Sequence, residues 1–193
     1  MSRRHIALFT LVAALTLSAC TSAATRASEP AGGGGPVAPP AVSTDYPSRC
    51  QARDGNQLPD PACTSGATNS AVTQATISTT ICKPGWTATI RPSTSVTNRI
   101  KKEAIAAYGD YAGAATGNYE LDHLISLELG GAPDAVANLW PEKGLHNSKD
   151  PVENAAKRAV CAHTMTLADA QHAIATNWIA LGHRLGVTGI PAS

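Results

Sequence analysis

Phenylalanine occurs once in this 193-residue chain and methionine twice, and aromatic residues make up only 4% of it. So few rings leave Trp86, Trp140 and Trp178 as expected core anchors rather than a platform for stacked bases. A basic excess is missing too: 15 Lys and Arg stand against 14 Asp and Glu. That balance counts against a high-affinity binder of duplex nucleic acid, which works largely by neutralising phosphates. No segment repeats, and no run beyond the N-terminus is long and apolar enough for a transmembrane helix. No two cysteines stand in the CxxC spacing of zinc knuckles, which argues against a cysteine-held zinc.

What is present begins with an export signal. Arg3 and Arg4 precede an apolar run, Ile6 to Leu17, and Leu17-Ser-Ala-Cys20 puts small residues before a cysteine. Residues 1–20 resemble a bacterial lipoprotein signal, with Cys20 as the lipidated first residue of the mature protein and the anchor to a membrane. The alternative is an ordinary secretory signal cleaved near Ala19 or Ala24. Residues 21–45 are rich in Ala, Gly and Pro, poor in large apolar side chains, and read as a flexible tether. The globular domain is then residues 46–193. Without Arg3 and Arg4 the 15 basic residues fall to 13, one fewer than the 14 acidic ones. Within that domain Lys83, Arg91, Arg99, Lys101 and Lys102 face only Glu103, a local excess that either contacts phosphates or forms a solvated face.

Export gives meaning to the four cysteines left after Cys20, because an even set in an oxidising compartment is most simply two disulfides. Spacing does not choose among their three pairings. The expected one is Cys50–Cys63, closing a Pro/Gly/Asp-rich loop, with Cys82–Cys161 stapling a strand to a late helix.

Turn formers dominate residues 50–70. Thr76 to Cys82 and Trp86 to Arg91 are rich in β-branched residues and predict two short strands about the Lys83-Pro84-Gly85 turn. Ser95 or Thr97 caps a helix through Ile100 to about Tyr108, ended by Gly109. Tyr119 to Leu129 predicts a strand closed by Gly130-Gly131, and Leu139-Trp140 a second extended piece stopped by Pro141. Asp150 at the cap and Pro151 at the first helical position open a helix to about Cys161. Thr166 caps the last helix, with Asp169 in its first turn and Leu167, Ala170, Ile174 and Trp178 inward. The expected class is α+β: a small disulfide-stapled domain with a β-hairpin plus helix and additional short strands and helices.

The chemistry concentrates between residues 119 and 162. In an extended segment Glu120 and Asp122 share a face and His123 takes the other. Adjacent Asp122 and His123 then suit different roles about one centre, with Glu120 as an acceptor behind the ligands or an alternative ligand. Gly130-Gly131 permits a close reversal, and Asn138 suits a turn clamp through its side-chain amide. His146 stands where it would swing back towards Asp122. Glu128 reads as solvated, and His163, His172 and His183 as surface or packing residues.

Asp122-His123, Gly130-Gly131, Asn138-Leu139 and His146-Asn147-Ser148-Lys149 resemble the HNH endonuclease motif, a β-hairpin and helix (ββα-metal) around one ion. A wider set resembles a group of exported bacterial HNH-like proteins of uncharacterised activity. It runs from Pro59-Asp-Pro-Ala-Cys63 through Thr80-Ile-Cys-Lys-Pro-Gly-Trp86, Arg91-Pro92 and Leu121-Asp-His123 to Asn138-Leu-Trp-Pro141 and Lys149-Asp150. The resemblance implies Asp122 and His146 as metal ligands, His123 as general base, and Asn138 as the residue positioning the loop that holds it. It implies Mg²⁺ or a similar divalent ion, with Lys149 or Arg91 on the scissile phosphate of a nucleic acid. Paired CxxC motifs, which pin many HNH domains with zinc, are replaced here by disulfides. The leading expectation is extracytoplasmic phosphodiester hydrolysis. The alternatives are a catalytically silent envelope domain binding a protein or polysaccharide partner, and a metal-binding lipoprotein without hydrolytic chemistry.

Overall fold

The computed structural model describes residues 45–47, 49–109, 115–144 and 149–192. The expected signal with Cys20, the tether up to residue 44, and His146 lie outside the described residues. Four α-helices and one two-stranded antiparallel sheet are formed among the described residues. In chain order they are α1 (Trp86–Ile90), α2 (Thr94–Ala107), β1 (Tyr119–His123), β2 (Leu139–Lys143), α3 (Asp150–Cys161) and α4 (Leu167–Arg184).

The two strands expected before residue 92 do not form. Residues 77–79 make a 3-10 turn and the second segment is α1. Threonine hydroxyls account for the change, because they bond neighbouring backbone instead of leaving it for a ladder. Thr76 Oγ1 accepts from Thr73 N at 2.8 Å and donates to Ala71 O at 2.9 Å. Thr80 Oγ1 donates to Thr76 O at 2.7 Å, and Thr89 Oγ1 to Trp86 O at 2.6 Å. β-Branched composition expresses a fit to a pleated half-buried surface, and no strand among the described residues lies alongside to supply one.

The sheet pairs Asp122 with Trp140 and His123 with Leu139. β1 stops at His123, not at Leu129, and a 3-10 turn at 127–129 leads into Gly130 in the left-handed region, φ 74°. β2 runs through Pro141, which was expected to stop it. Each strand of a two-stranded sheet is an edge, where proline is tolerated. α2 starts at Thr94, one residue before the first expected cap. The α3 helix begins at Asp150 itself, one residue early, so Asp150 and Pro151 both sit in its first turn and Lys149 directly precedes it.

Two disulfides are formed with the expected pairing. Cys50–Cys63 spans 5.9 Å between Cα atoms and Cys82–Cys161 spans 5.7 Å. The second ties the chain just after the 77–79 turn, rather than a strand, to the last residue of α3. Such bonds point to an oxidising environment outside the cytoplasm. No helix among the described residues is long and apolar enough to cross a membrane.

The largest core lies between α3 and α4. Val152, Ala156 and Val160 pack with Ala170, Ile174 and Trp178, and Leu58, Val72, Ile81, Ile125 and Leu129 complete it. Thr166 Oγ1 caps α4 by accepting from Asp169 N at 3.0 Å. Gly182 lets the two helices approach, since a Cβ there would lie 2.7 Å from Val152 Cγ2. A second cluster packs Tyr119 and Trp140 of the sheet against Tyr108, Ile105 and the Cys50–Cys63 bridge. Trp140 and Trp178 are wholly buried and Trp86 packs on the main core, so the tryptophans are anchors. β1, its following loop and the start of α3 meet between these clusters, where the chemistry-bearing residues gather.

Candidate functional site

His123 ends β1 with its ring half-buried. Nε2 lies 2.9 Å from the carbonyl oxygen of Pro133. A carbonyl only accepts, so Nε2 carries the proton and Nδ1 keeps its lone pair. Desolvation lowers the imidazole pKa below its ordinary value, and the Pro133 bond and the Asp122 charge only partly oppose this. Burial thus favours the neutral ring, in which Nδ1, without a hydrogen-bond partner among the described residues, is a base.

Its surroundings are set by α2. A cavity of about 410 Å³ is lined by His123, Glu120, Tyr119 and Leu121 of β1 and by Arg91, Thr97, Asn98 and Lys101. Arg91, an expected phosphate contact, thus shares a cavity with the expected base. Lys101 joins them because α2 turns its buried stripe of Ile100, Ala104 and Ile105 inward and leaves Lys101 at the margin. Neither cation has an ion-pair partner within 4 Å among the described residues. Glu120 lies on the same cavity. Its pKa is raised, first by desolvation and then by the charges of Asp122 and Asp150, with Lys149 and Lys101 opposing. The rest of the basic stretch is surface: Arg99 pairs with Glu103 at 3.0 Å, and Lys83 and Lys102 are exposed.

The loop behind His123 is held by Asn138, which is wholly buried. Its Oδ1 accepts from Ile125 N at 2.9 Å, and its Nδ2 donates to Ile125 O at 2.9 Å and Ala132 O at 3.0 Å. Asn138 is thus not among the residues lining the His123 cavity and acts by positioning. Gly131 completes the clamp: a Cβ there would fall 1.7 Å from Ile125 O and 2.6 Å from Asn138 Nδ2.

Lys149 requires a correction. Expected on a phosphate, it is instead fully buried, with Nζ 2.7 Å from Asp122 Oδ2, 2.6 Å from His123 O and 2.5 Å from Glu153 Oε1. Burial opposes its charge, but Asp122, Glu153 and Glu142 outweigh that, so its pKa lies above the ordinary value and it stays protonated. Glu153 is pushed up to about 7 by desolvation, with Lys149 opposing. Glu128 is likewise not a free surface group; it pairs with Lys157 of α3 at 3.1 Å. His163, His172 and His183 are exposed.

The divalent ion implied by the motif finds no ready site among the described residues. One oxygen of Asp122 is bonded to a buried ammonium, His146 lies outside the described residues, and no group of three His, Cys, Asp or Glu side chains is placed to hold a metal. With the Lys149 ammonium in place, the described donors do not accept the ion.

Sequence reasoning missed Glu153, Lys101 and the Pro133 carbonyl. Glu153 stands four residues after Lys149, a spacing that pairs the two once the helix is known to begin at Asp150. Lys101 belonged to the basic stretch without being separated from it. The Pro133 contact crosses a loop, and nothing local signals it. Comparison of the chain with protein-family models, with curated proteins and with solved structures yields no match.

Proposed function

We propose that this domain is an HNH-like phosphodiesterase acting outside the cytoplasm, with His123 as general base and Arg91 and Lys101 holding the phosphate. One observation carries the reading: an imidazole whose Nε2 is engaged by the Pro133 carbonyl, and whose Nδ1 has no hydrogen-bond partner among the described residues, lines the same cavity as two cations without ion-pair partners there. In that arrangement Nδ1 takes a proton from water as the water oxygen bonds to phosphorus and the P–O bond to the leaving alkoxide breaks; the alkoxide takes a proton from solvent, and the guanidinium and ammonium balance the growing charge on the phosphoryl oxygens. The order β1, clamped loop, β2, α3 is consistent with the ββα arrangement of the HNH motif, and Asn138 serves by fixing the loop. Export through the N-terminal signal, with a lipid on Cys20, would hold the domain at the cell envelope, away from the cell's own chromosome. The nucleic acid substrate would then be extracellular.

A second reading is favoured by Lys149. Its engagement of Asp122 suits a catalytically silent scaffold that binds a protein or polysaccharide partner at the envelope. The full chain with its disulfides intact, incubated with plasmid and single-stranded DNA and RNA, separates the two. Cleavage is expected with wild type and not with His123→Ala. Each substrate is tested with Mg²⁺, with Mn²⁺ and with EDTA, so a divalent requirement registers directly. Equal inertness of both proteins under all of these conditions would sink the hydrolytic reading in favour of the silent one.

A further inference from the structure

The junction of β1 with α3 is built as a cation site. Three oxygens converge there from separate sources: Asp122 Oδ2 on β1, the backbone carbonyl of His123, and Glu153 Oε1 in the first turn of α3. Carboxylate and carbonyl oxygens are the ligands that hard divalent cations take. Here they surround the Lys149 ammonium, each within hydrogen-bond distance of its N–H donors. The side chain has no solvent exposure at all, against 10% for Asp122 and 13% for Glu153. It is covalently tethered to the residue before α3, so it cannot diffuse away, and a competing ion must displace it from three charge-assisted bonds.

We propose that Lys149 is the resident cation of this site, filling the place between Asp122, His123 O and Glu153 so that a divalent ion binds there only after the ammonium is removed. The same contact makes Lys149 a positioning residue: it grips the carbonyl of His123 while Pro133 grips that residue's ring. The inference rests on the geometry of the lysine and not on hydrolysis, so a protein inert towards nucleic acid leaves it intact.

The test uses Mn²⁺ as the probe and the full chain. In wild type, Mn²⁺ is expected to cause no selective paramagnetic broadening of the Asp122, His123 and Glu153 amide signals, and no shift in the thermal midpoint. In Lys149→Ala, it is expected to broaden those three signals, to bind one ion per chain by electron paramagnetic resonance, and to raise the midpoint. Lys149→Ala/Asp122→Asn is expected to lose all three effects. Selective broadening in wild type overturns the proposal, as does a folded Lys149→Ala that binds no ion. If Lys149→Ala does not fold unaided, its refolding with and without Mn²⁺ is read, and recovery only with the ion supports the proposal. The wild-type spectra need no variant, and selective broadening there overturns it whatever the variants do.

Discussion

Replacing Lys149 with methionine keeps most of the buried stem and removes the ammonium. Asp122 and Glu153, both now bonded to Nζ at 2.7 and 2.5 Å, are left as neighbouring buried acids, and the His123 carbonyl loses its donor. Removing one partner of a buried ion pair costs about 3–5 kcal/mol, because the remaining charge stays desolvated. The cost depends on pH in a definite direction. Without the cation Glu153, whose carboxyl burial already pushes up to about 7 against the pull of Lys149, rises further. It therefore retains a proton in the folded state that the unfolded state has lost, and stability falls as pH rises through that window. The deficit relative to wild type is thus expected to be small near pH 5 and to reach its full size by pH 8. Urea denaturation followed by the fluorescence of the buried Trp140 and Trp178 measures it. A deficit at pH 8 below about 1 kcal/mol, the scale of an exposed pair, refutes the buried-cation account. So does a deficit that does not grow with pH.

Glu153→Gln removes the acid that burial pushes up to about 7, so wild type should lose stability between the unfolded carboxylate range and pH 7 more steeply than the variant, by urea midpoint against pH. Asn138→Ala leaves Ile125 N, Ile125 O and Ala132 O without partners and is expected to cost about 3 kcal/mol or more at roughly 1–3 kcal/mol per orphaned group, with amide exchange speeding up in residues 124–132. Cys82→Ala/Cys161→Ala opens a loop with a separation of 79 residues and is expected to cost about 4–5 kcal/mol by the chain-entropy relation, against about 3 kcal/mol for Cys50→Ala/Cys63→Ala; calorimetry ranks the two. If the domain hydrolyses phosphodiesters, the acidic limb of its rate profile should fall below the ordinary imidazole range because burial lowers the His123 pKa, and Arg91→Ala should lower kcat as well as raise KM.

Much of the late chain was legible residue by residue. Thr166 caps α4, and Leu167, Ala170, Ile174 and Trp178 face inward at helical spacing, because a cap and an amphipathic stripe are local properties. The expected cysteine pairing formed although spacing left three open, and Cys82 follows a 3-10 turn rather than the strand that favoured the choice. The strands expected before residue 92 failed because β-branched composition needs a neighbouring strand, and threonine hydroxyls supplied a local alternative.

The sequence by itself determined four cysteines beyond residue 45, the α3 and α4 helices, and the cluster of Asp122, His123, Asn138 and Lys149. Those depend on residue type and short spacing alone. The tertiary structure decided what the cluster does. It set His123 on the Pro133 carbonyl, opened it to Arg91 and Lys101, and drew Lys149 inward onto Asp122 and Glu153. A lysine beside a motif can reach out to a phosphate or fold back onto an acid. The choice rests on how many oxygens converge within reach, and only the packing of α3 against the end of β1 supplies them.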